Sequence, residues 1–388
     1  MMNKINYPPQ NDLEEFLSNY RKIFDTIVMQ RELDTFLGAK SKKFKILKKL
    51  KVSEILTSDL GYLIDLNKAF ASCKPTKEDK ESIKKIFNYD STFNPSCDKY
   101  QSKIAKFFVK NKDVLKLKTC YFCNLEKISA FIDTSDYINE VELLKYGTKE
   151  DLVAIRGIGN TTAEKIKGCQ NEFRGMLDLG DILEKLKENA VGKKEITSLK
   201  RGEFSAHKYY FTLDHVLHKG DNPLSSLSLF NLVPSCYACN SKFKTTRVLI
   251  KDKNDEFLSP TSDKFSFCKD NTFKIYFSSE ITSVTHIKAI DNFAIRLKPN
   301  TKKNEYDRYD QTFKLNARYK EFKGEALDLI RKGRRYTPDK LINMSKMLGI
   351  TVNEVKENVF GKQLNNSNMS ELPKTKFLSD VAKQANIK

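Results

Sequence analysis

The stretch FTLDHVLHKGDNPLSSLSLFNLVPSCYACNSKFK, residues 211–244, is the most informative part of the sequence. The residues that lead into it, YYFTL from Tyr209 to Leu213, have the aromatic and β-branched composition of a strand. An Asp-His pair ends this strand. An Asn-Leu-x-Pro turn and a CxxC follow, and a helix is expected to begin near Asn240. Polar residues that can carry chemistry are therefore concentrated in one short segment.

Four polar side chains in this segment combine a cation site with a general base. Asp214 offers a carboxylate and Asn240 a carbonyl oxygen, and both are ligands that suit Mg²⁺ or Mn²⁺. His215 follows Asp214 and should point to the opposite face of the strand, where a neutral imidazole can take a proton from water. Asn231 is placed to hold the long loop by hydrogen bonds. Such a combination suits the hydrolysis of phosphate esters.

The segment resembles the HNH, or ββα-metal, endonuclease motif, and the flanking cysteines resemble its zinc-containing branch. The resemblance implies that His215 is the general base and that Asp214 and Asn240 bind the catalytic cation. It also implies that Asn231 orients the loop. The family often has proline three residues after the base, where this chain has His218. The role of His218 is therefore open: a bystander, a phosphate contact or an extra metal ligand.

Two CxxC pairs predict a metal site: Cys120 with Cys123, and Cys236 with Cys239. Four thiolates in two such pairs are typical of a closed, tetrahedral structural zinc site. The long interval between the pairs can be accommodated if it forms an inserted subdomain. The alternatives are two unrelated pairs or a redox-active pair, although no thioredoxin-like context surrounds either one.

Within that interval, DLVAIRGIGNTTAEKIKG at residues 151–168 resembles a helix-hairpin-helix motif. The turn formed by Gly157 and Gly159 would expose backbone N–H groups at the start of a helix. These donors suit a DNA phosphate without reading the base sequence. Lys165 and Lys167 are expected to flank that phosphate. The alternative is a helical hairpin that only packs.

The charge of the chain favours a polyanionic partner. Lys and Arg number 69 against 50 Asp and Glu, which gives a formal net charge of +19 over 388 residues. Such an excess attracts nucleic acid and makes phosphate binding depend on salt. Lys242 and Lys244 follow Asn240 and are expected to contact this partner. A lysine-rich chain whose charge carries no function is the alternative.

The first residues, MMNKINYPPQNDLEEF, lack the apolar core of a signal peptide, and no run of about 18 apolar residues occurs in the chain. We therefore expect a cytoplasmic protein that has no membrane partner. In that compartment, paired cysteines indicate a bound metal more than disulfides.

These features predict a mainly helical α+β protein with a central ββα-metal HNH core and a four-cysteine structural zinc. Residues 1–115 are expected to form a helical N-terminal region, and residues 116–258 the nuclease core. An inserted helical subdomain at about 132–200 would carry the helix-hairpin-helix-like motif. Residues 259–388 should begin with short strands, FSF and FKIYF within 265–277, and continue as a helical C-terminal region.

The family resemblance implies an endonuclease that hydrolyses DNA phosphodiester bonds with Mg²⁺ or Mn²⁺, in restriction or antiphage defence. The wording FNLVPSCYACNSKFK, residues 230–244, is similar to HNH nucleases of Septu-type antiphage systems, which implies an ATPase partner protein. One alternative is an HNH ribonuclease acting as a toxin, because attack by water needs no 2′-hydroxyl. Another is a zinc-stabilised nucleic-acid-binding module without catalysis.

Overall fold

The computed structural model of the protein describes residues 4–89, 100–132, 137, 139–153, 155, 157–200, 207–364 and 371–387. Over these ranges the chain is mainly helical and contains three small sheets, so the expected α+β class is confirmed. Within the same ranges, no helix has the length and apolar character needed to cross a membrane.

The helices and strands are numbered in chain order. The α-helices are α1 (Gln10–Arg21), α2 (Thr26–Ala39), α3 (Val52–Thr57), α4 (Leu60–Ser72), α5 (Lys77–Ile86), α6 (Tyr100–Lys110), α7 (Glu140–Tyr146), α8 (Lys149–Val153), α9 (Asn160–Cys169), α10 (Leu179–Glu188), α11 (Lys193–Lys200), α12 (Phe267–Asp270), α13 (Lys303–Phe313), α14 (Leu315–Lys320), α15 (Lys323–Arg335), α16 (Pro338–Leu348), α17 (Val352–Phe360) and α18 (Thr375–Gln384). The strands are β1 (Ala130–Ile132), β2 (His207–Tyr209), β3 (Thr212–His215), β4 (Leu232–Ser235), β5 (Asn271–Phe277) and β6 (Phe293–Pro299).

Each sheet is one antiparallel pair: β1 with β2, β3 with β4, and β5 with β6. The central pair places Thr212 opposite Ser235 and His215 opposite Leu232. A π-helix, Ala238–Lys244, follows this pair directly, where the sequence predicted a helix near Asn240. Residues 211–244 therefore fold as a β-hairpin followed by a helix.

One predicted strand is wrong. FKIYF lies in β5, as expected, but FSF enters the short helix α12 instead of forming a strand. Ser266 Oγ donates to Asp270 Oδ2 at 2.6 Å, and this bond closes the helical turn. The Phe267 ring is buried against Tyr306 and Tyr309. Local hydrogen bonding and aromatic packing therefore outweigh the strand-like alternation.

The chain divides into two compact units. One consists of Met1–Ile128 together with Phe211–Lys388, and the other of Ser129–Tyr210. The second unit contains the segment 132–200 that the sequence sets apart, and its ends are joined by the β1–β2 pair. The predicted N-terminal and C-terminal helical regions belong to the same unit as the central hairpin.

The larger unit has a continuous hydrophobic core that both terminal regions share with the hairpin. Aromatic side chains fill much of it: Tyr20 packs against Phe107 at 5.1 Å between ring centroids, and Phe273 packs against Tyr319 at 4.4 Å. Helix α4 is capped at its start, where the side chain of Asp59 accepts a hydrogen bond from Tyr62 N at 2.8 Å. The helices that surround the hairpin are thus held mainly along their buried faces.

The smaller unit has a hydrophobic core of its own, formed by apolar side chains from α7 to α11. These side chains recur at helical spacing, and their burial explains why a long insertion between the two CxxC pairs folds compactly. The fully buried members are Leu144, Leu152, Ala163, Ile166, Phe173, Ile182, Leu186 and Leu199.

Candidate active site and metal centre

The hairpin β3–β4 presents Asp214 and His215 on opposite faces, as neighbouring residues of a strand must be. Asp214 lies opposite Val233 and His215 opposite Leu232. Both side chains are buried, at 3% and 8% exposure. The two residues therefore have separate surroundings, although they are adjacent in sequence.

Asn231 joins the two ends of the loop that leaves β3. Its side-chain oxygen accepts from Leu217 N at 2.7 Å, and its Nδ2 donates to Leu217 O at 3.2 Å and Ser225 O at 2.9 Å. Its backbone carbonyl accepts from Val216 N at 2.9 Å. These are the loop-spanning bonds that the sequence predicted for this side chain, and its full burial makes each of them costly to lose.

The surroundings of His215 determine which ring nitrogen is basic. Its Nε2 is 2.9 Å from the carbonyl oxygen of Ser226. A carbonyl only accepts, so the neutral ring carries its proton on Nε2, and Nδ1 is the nitrogen that can take a proton. The Tyr89 ring packs edge-on against the imidazole at 4.5 Å between centroids, which fixes the plane of the ring.

The loop that holds His215 is itself held by the N-terminal helices, a role that the sequence did not predict. Serines of the SSLS run at 225–228 and the Leu227 carbonyl bond to four separate helical segments. The bonds are Tyr20 Oη to Leu227 O at 2.7 Å, Ser228 Oγ to Ile55 O at 2.5 Å, Asn67 Nδ2 to Ser225 Oγ at 3.0 Å and Ser226 Oγ to Phe87 O at 3.0 Å.

Asp214 forms a buried ion pair with Lys244. The ammonium Nζ is 3.1 Å from both carboxylate oxygens and donates to the carbonyl of His215 at 2.7 Å. Burial raises the pKa of Asp214 to about 6, although Lys244 and His218 act in the opposite direction. Only the contact with Oδ1 has hydrogen-bond geometry, so Oδ2 is without a hydrogen-bond partner in the described part of the chain.

This ion pair corrects the expectation that Lys244 faces a nucleic acid. Lys244 is 2% exposed, because the buried carboxylate and the His215 carbonyl draw its ammonium inward. Lys242 is exposed on the same helix and is free to serve the predicted contact. Of these two lysines on the short helix, Lys244 therefore points into the protein and Lys242 points to solvent.

The π-helix brings Asn240 to the same strand as Lys244. Asn240 Nδ2 is 3.5 Å from the Leu213 carbonyl, next to Asp214. Thr245 N donates to Asn240 O at 2.9 Å, and Thr245 has φ +48°. A positive φ is strained for a β-branched residue, and π-turns with such strain are frequent at functional sites.

His218 lies near the start of the loop between β3 and β4, and its side chain is about one-third exposed. Its Nδ1 is 3.0 Å from Asp221 Oδ2. The Asp221 carboxylate therefore orients the His218 imidazole. The charge of His218 acts to lower the pKa of Asp214, against the effect of burial. His218 and His215 therefore have different hydrogen-bond partners: Asp221 for His218, and the Ser226 carbonyl for His215.

The two CxxC pairs meet in one buried cluster. The Sγ atoms of Cys120, Cys123, Cys236 and Cys239 all lie within 4.8 Å of one another, and Cys123 Sγ is 3.9 Å from Cys236 Sγ. Sulfurs bound tetrahedrally at ~2.3 Å from one zinc ion would be roughly 3.8 Å apart. The group can therefore hold a metal ion such as zinc, as the sequence predicted.

Backbone and side-chain donors surround these sulfurs. Cys236 N is 3.3 Å from Cys120 Sγ, and Arg318 of α14 is 3.2 Å from Cys239 Sγ and 3.6 Å from Cys123 Sγ. Burial acts to raise the pKa of Cys123, but the neighbouring thiols and Arg318 outweigh it and lower that pKa well below its usual value. Arg318 was not identified from the sequence, because its distance along the chain hides the contact.

The C-terminal helices also hold the first CxxC turn. Tyr309 Oη donates to Phe122 O at 3.0 Å, and Tyr319 Oη donates to Cys123 O at 2.7 Å. Arg318 bonds to Glu126 at 3.0 Å beside the same turn. The N-terminal helices thus support the His215 loop, and the C-terminal helices support the cysteine cluster.

In the smaller unit, the Gly-rich motif at 151–168 forms a hairpin between α8 and α9. Gly157 has φ +89°, a conformation that favours glycine. Ile158 is buried in the turn, and Gly159 O accepts from Ala163 N at 2.9 Å to begin α9. The backbone therefore makes the tight turn that the motif predicted.

A second hairpin, between α10 and α11, repeats this turn. Ala190 has φ +55°, Val191 is buried, and Gly192 O accepts from Ile196 N at 3.0 Å. Ala190 stands where the first turn has Gly157, so a search for Gly-x-Gly misses the repeat. The smaller unit thus presents two similar turns, each followed by a helix.

The lysines that were expected to flank a phosphate contact carbonyl oxygens of their own unit. Lys165 Nζ is 2.8 Å from Ala190 O, and Lys167 Nζ is 3.4 Å from Gly147 O. Both side chains are exposed. Lys165 therefore links α9 to the second hairpin turn, and the contact of these lysines with phosphate stays a prediction.

Comparison of the chain with protein families, with curated proteins and with solved structures gives no match. The function of the site therefore has to be inferred from its own residues. Three features carry most weight in that inference: the oriented imidazole of His215, the buried carboxylate of Asp214, and the four-cysteine cluster beside the helix that carries Asn240.

Proposed function

We propose that the protein is a metal-dependent HNH-type endonuclease that hydrolyses DNA phosphodiester bonds. The observation that carries the proposal is the hydrogen bond from His215 Nε2 to the Ser226 carbonyl at 2.9 Å. It sets the tautomer in which Nδ1 is the basic nitrogen, and the edge-on contact with Tyr89 restricts the plane of the ring. The hairpin-and-helix arrangement, with Asn231 in the loop and Asn240 on the helix, supports the same assignment.

His215 would act as the general base. Its Nδ1 takes a proton from water, the water oxygen forms a bond to phosphorus, and the P–O bond to the leaving oxygen breaks. The leaving oxygen takes a proton from solvent, and the imidazolium later returns its proton to solvent. The Ser226 carbonyl stabilises the imidazolium through the Nε2 proton, and a base so placed contributes about 10²–10⁴-fold in rate.

Asp214 and Asn240 would hold the catalytic cation. The buried Oδ2 of Asp214 accepts no hydrogen bond from the described residues, and a divalent cation bound there would share it with the Lys244 ammonium, which lies 3.1 Å away. Bound Mg²⁺ or Mn²⁺ would stabilise the negative charge that develops on the phosphate and on the leaving oxygen. Lys244 holds Oδ1 of the same carboxylate and thereby restricts how the side chain can turn.

The four cysteines would hold a structural zinc ion. Cys239 directly precedes Asn240, so a metal at the cluster would fix the first turn of the helix that carries this ligand. Closed four-thiolate zinc sites contribute folding free energy directly. In this proposal the zinc has no part in the chemistry and keeps the active-site helix in place.

DNA is the proposed substrate because the smaller unit carries two hairpin turns, each with backbone donors at a helix start. Such turns contact phosphates without reading bases, and the net charge of +19 adds to the attraction. A role in restriction or antiphage defence rests on the resemblance to HNH nucleases alone, and an ATPase partner rests on the likeness of residues 230–244 to Septu-type nucleases.

A second candidate function is nucleic-acid binding without catalysis. The observation that favours it is the Lys244 ammonium, which already neutralises the carboxylate of Asp214 inside the site. If that ion pair is permanent and leaves no room for a divalent cation, the hairpin and cysteine cluster would serve only as a scaffold. The two functions differ in whether any metal supports cleavage.

The deciding experiment incubates the protein with supercoiled plasmid, linear duplex and total RNA, each with Mg²⁺, Mn²⁺ or EDTA. We expect cleavage of DNA with a divalent ion and none in EDTA. His215→Ala should abolish it, whereas His286→Ala should not, because His286 is an exposed histidine that bonds to Thr282. Cleavage of RNA alone would support the ribonuclease alternative. Binding of DNA without cleavage under every metal would support the binding module.

A further inference from the structure

Arginine is scarce in this chain and is unevenly placed. Only 12 of the 69 basic residues are arginine. Arg308 and Arg318 have acidic partners, at 2.7 Å from Asp255 and 3.0 Å from Glu126. Three others fall together at the C-terminal end of α15: Arg331, Arg334 and Arg335. A general excess of lysine does not account for this cluster.

The three clustered arginines line one open surface pocket of about 450 Å³. Arg331 donates to the Lys288 carbonyl at 2.9 Å and is 3.8 Å from Asp328. The guanidinium groups of Arg334 and Arg335 make no ion pair or hydrogen bond with any residue that the structure describes. Their donors therefore face solvent with no acceptor from the protein.

The backbone that carries these arginines is held firmly. A Cβ at Gly333 would lie 2.7 Å and 2.8 Å from side-chain atoms of Ile387, so the helix packs closely there against the segment after α18. Lys340 Nζ donates to the Arg335 carbonyl at 3.1 Å and closes the turn into α16. The pocket is thus presented by a packed helix end.

We propose that this arginine pocket binds phosphate groups of the nucleic-acid backbone. A guanidinium offers a planar fork of N–H donors that matches phosphate oxygens in pairs, which a lysine ammonium does not. The inference rests on the proposed nucleic-acid substrate and assigns the C-terminal region a second contact, apart from the hairpins of the smaller unit. Free inorganic phosphate has the same chemistry and is the other source to distinguish.

The test is duplex binding by fluorescence anisotropy, in buffer without Mg²⁺ or Mn²⁺ so that no strand is cut. The variant is Arg334→Ala/Arg335→Ala. Its control is Lys48→Ala/Lys49→Ala, which removes the same charge from two exposed lysines. Calorimetric titration of wild type and variant with inorganic phosphate forms a separate arm.

We expect the arginine variant to bind duplex about tenfold more weakly and to reduce the slope of log affinity against log salt by roughly 1.8, at ~0.9 per lost phosphate contact. The lysine control should change both quantities less. Equal effects of the two variants, or none, would overturn the proposal while leaving cleavage by wild type to decide the nuclease function separately. Arginine-dependent binding of inorganic phosphate alone would identify a free anion as the ligand and overturn the backbone contact.

Discussion

The Lys244 ammonium bonds to Asp214 Oδ1 at 3.1 Å and to the His215 carbonyl oxygen at 2.7 Å. One buried cation therefore contacts both residues on which the proposed chemistry depends. It reaches them from the end of the helix that begins beside the cysteine cluster. This single side chain therefore connects the hairpin to the helix that also carries Cys239.

Lys244→Met should destabilise the protein strongly, because it leaves the Asp214 carboxylate buried without its counter-charge. Loss of one partner of a buried pair costs about 3–5 kcal/mol. Lys242→Met, on the exposed side of the same helix, should change the free energy of unfolding by less than about 0.5 kcal/mol. Urea denaturation of the two variants measures the difference. Equal stability of both variants would show that the pair is unimportant.

The carboxyl of Asp214 also predicts a pH dependence of stability. Burial holds its pKa near 6 in the folded protein, above the ordinary value of 3.8. The contribution of the Asp214 carboxyl to the free energy of unfolding is therefore largest below about pH 4, and it is lost as the pH rises through about 6. The unfolding free energy of wild type relative to Asp214→Asn should fall by roughly 3 kcal/mol between these limits. A pH-independent difference, measured by chemical denaturation, would contradict this assignment.

Arg318 should strengthen metal binding by the cysteine cluster. Its guanidinium lies against Cys239 and Cys123, and it offsets the negative charge of four thiolates. Arg318→Met should release zinc to a competing chelator at about 10–100-fold lower chelator concentration, and Arg318→Lys should recover part of the loss. Arg331→Met serves as the control. Unchanged zinc retention in Arg318→Met would refute the contribution.

The second hairpin turn predicts a DNA contact at the start of α11. Lys193 and Lys194 are exposed beside Gly192. Lys193→Ala/Lys194→Ala should weaken duplex binding and reduce its salt slope by roughly 1.8. The measurement is anisotropy across a salt series, with Lys48→Ala/Lys49→Ala as the matched control. If the control has the larger effect, the hairpin turn is not a principal DNA contact.

The parts of the site that the sequence predicted are those set by local spacing. Asp214 and His215 are adjacent on a strand, Asn231 lies at the end of one loop, and each CxxC pair forms its own turn. Such features follow from strand alternation and from short-range hydrogen bonds. The helix near Asn240 was expected for the same reason, although not its π geometry.

The features that the sequence did not predict depend on contacts between distant segments. The Ser226 carbonyl accepts the hydrogen bond from His215 Nε2, and helices from the first ninety residues hold the loop that carries this carbonyl. Arg318 contacts Cys123, from which it is separated by about half of the chain. Lys244 was expected on the surface because its spacing resembles that of Lys242. The Lys244 ammonium is buried against Asp214 because of how the hairpin and helix pack, and this packing cannot be deduced from the spacing of the lysines.

The general-base role of His215 is tested by the single-turnover rate of DNA cleavage by wild type, His215→Ala and His286→Ala, with and without added imidazole. Loss of the base should slow His215→Ala by at least about 100-fold, and imidazole should restore part of the rate. His286→Ala should cleave like wild type. Cleavage by His215→Ala at the wild-type rate would show that His215 is not the general base.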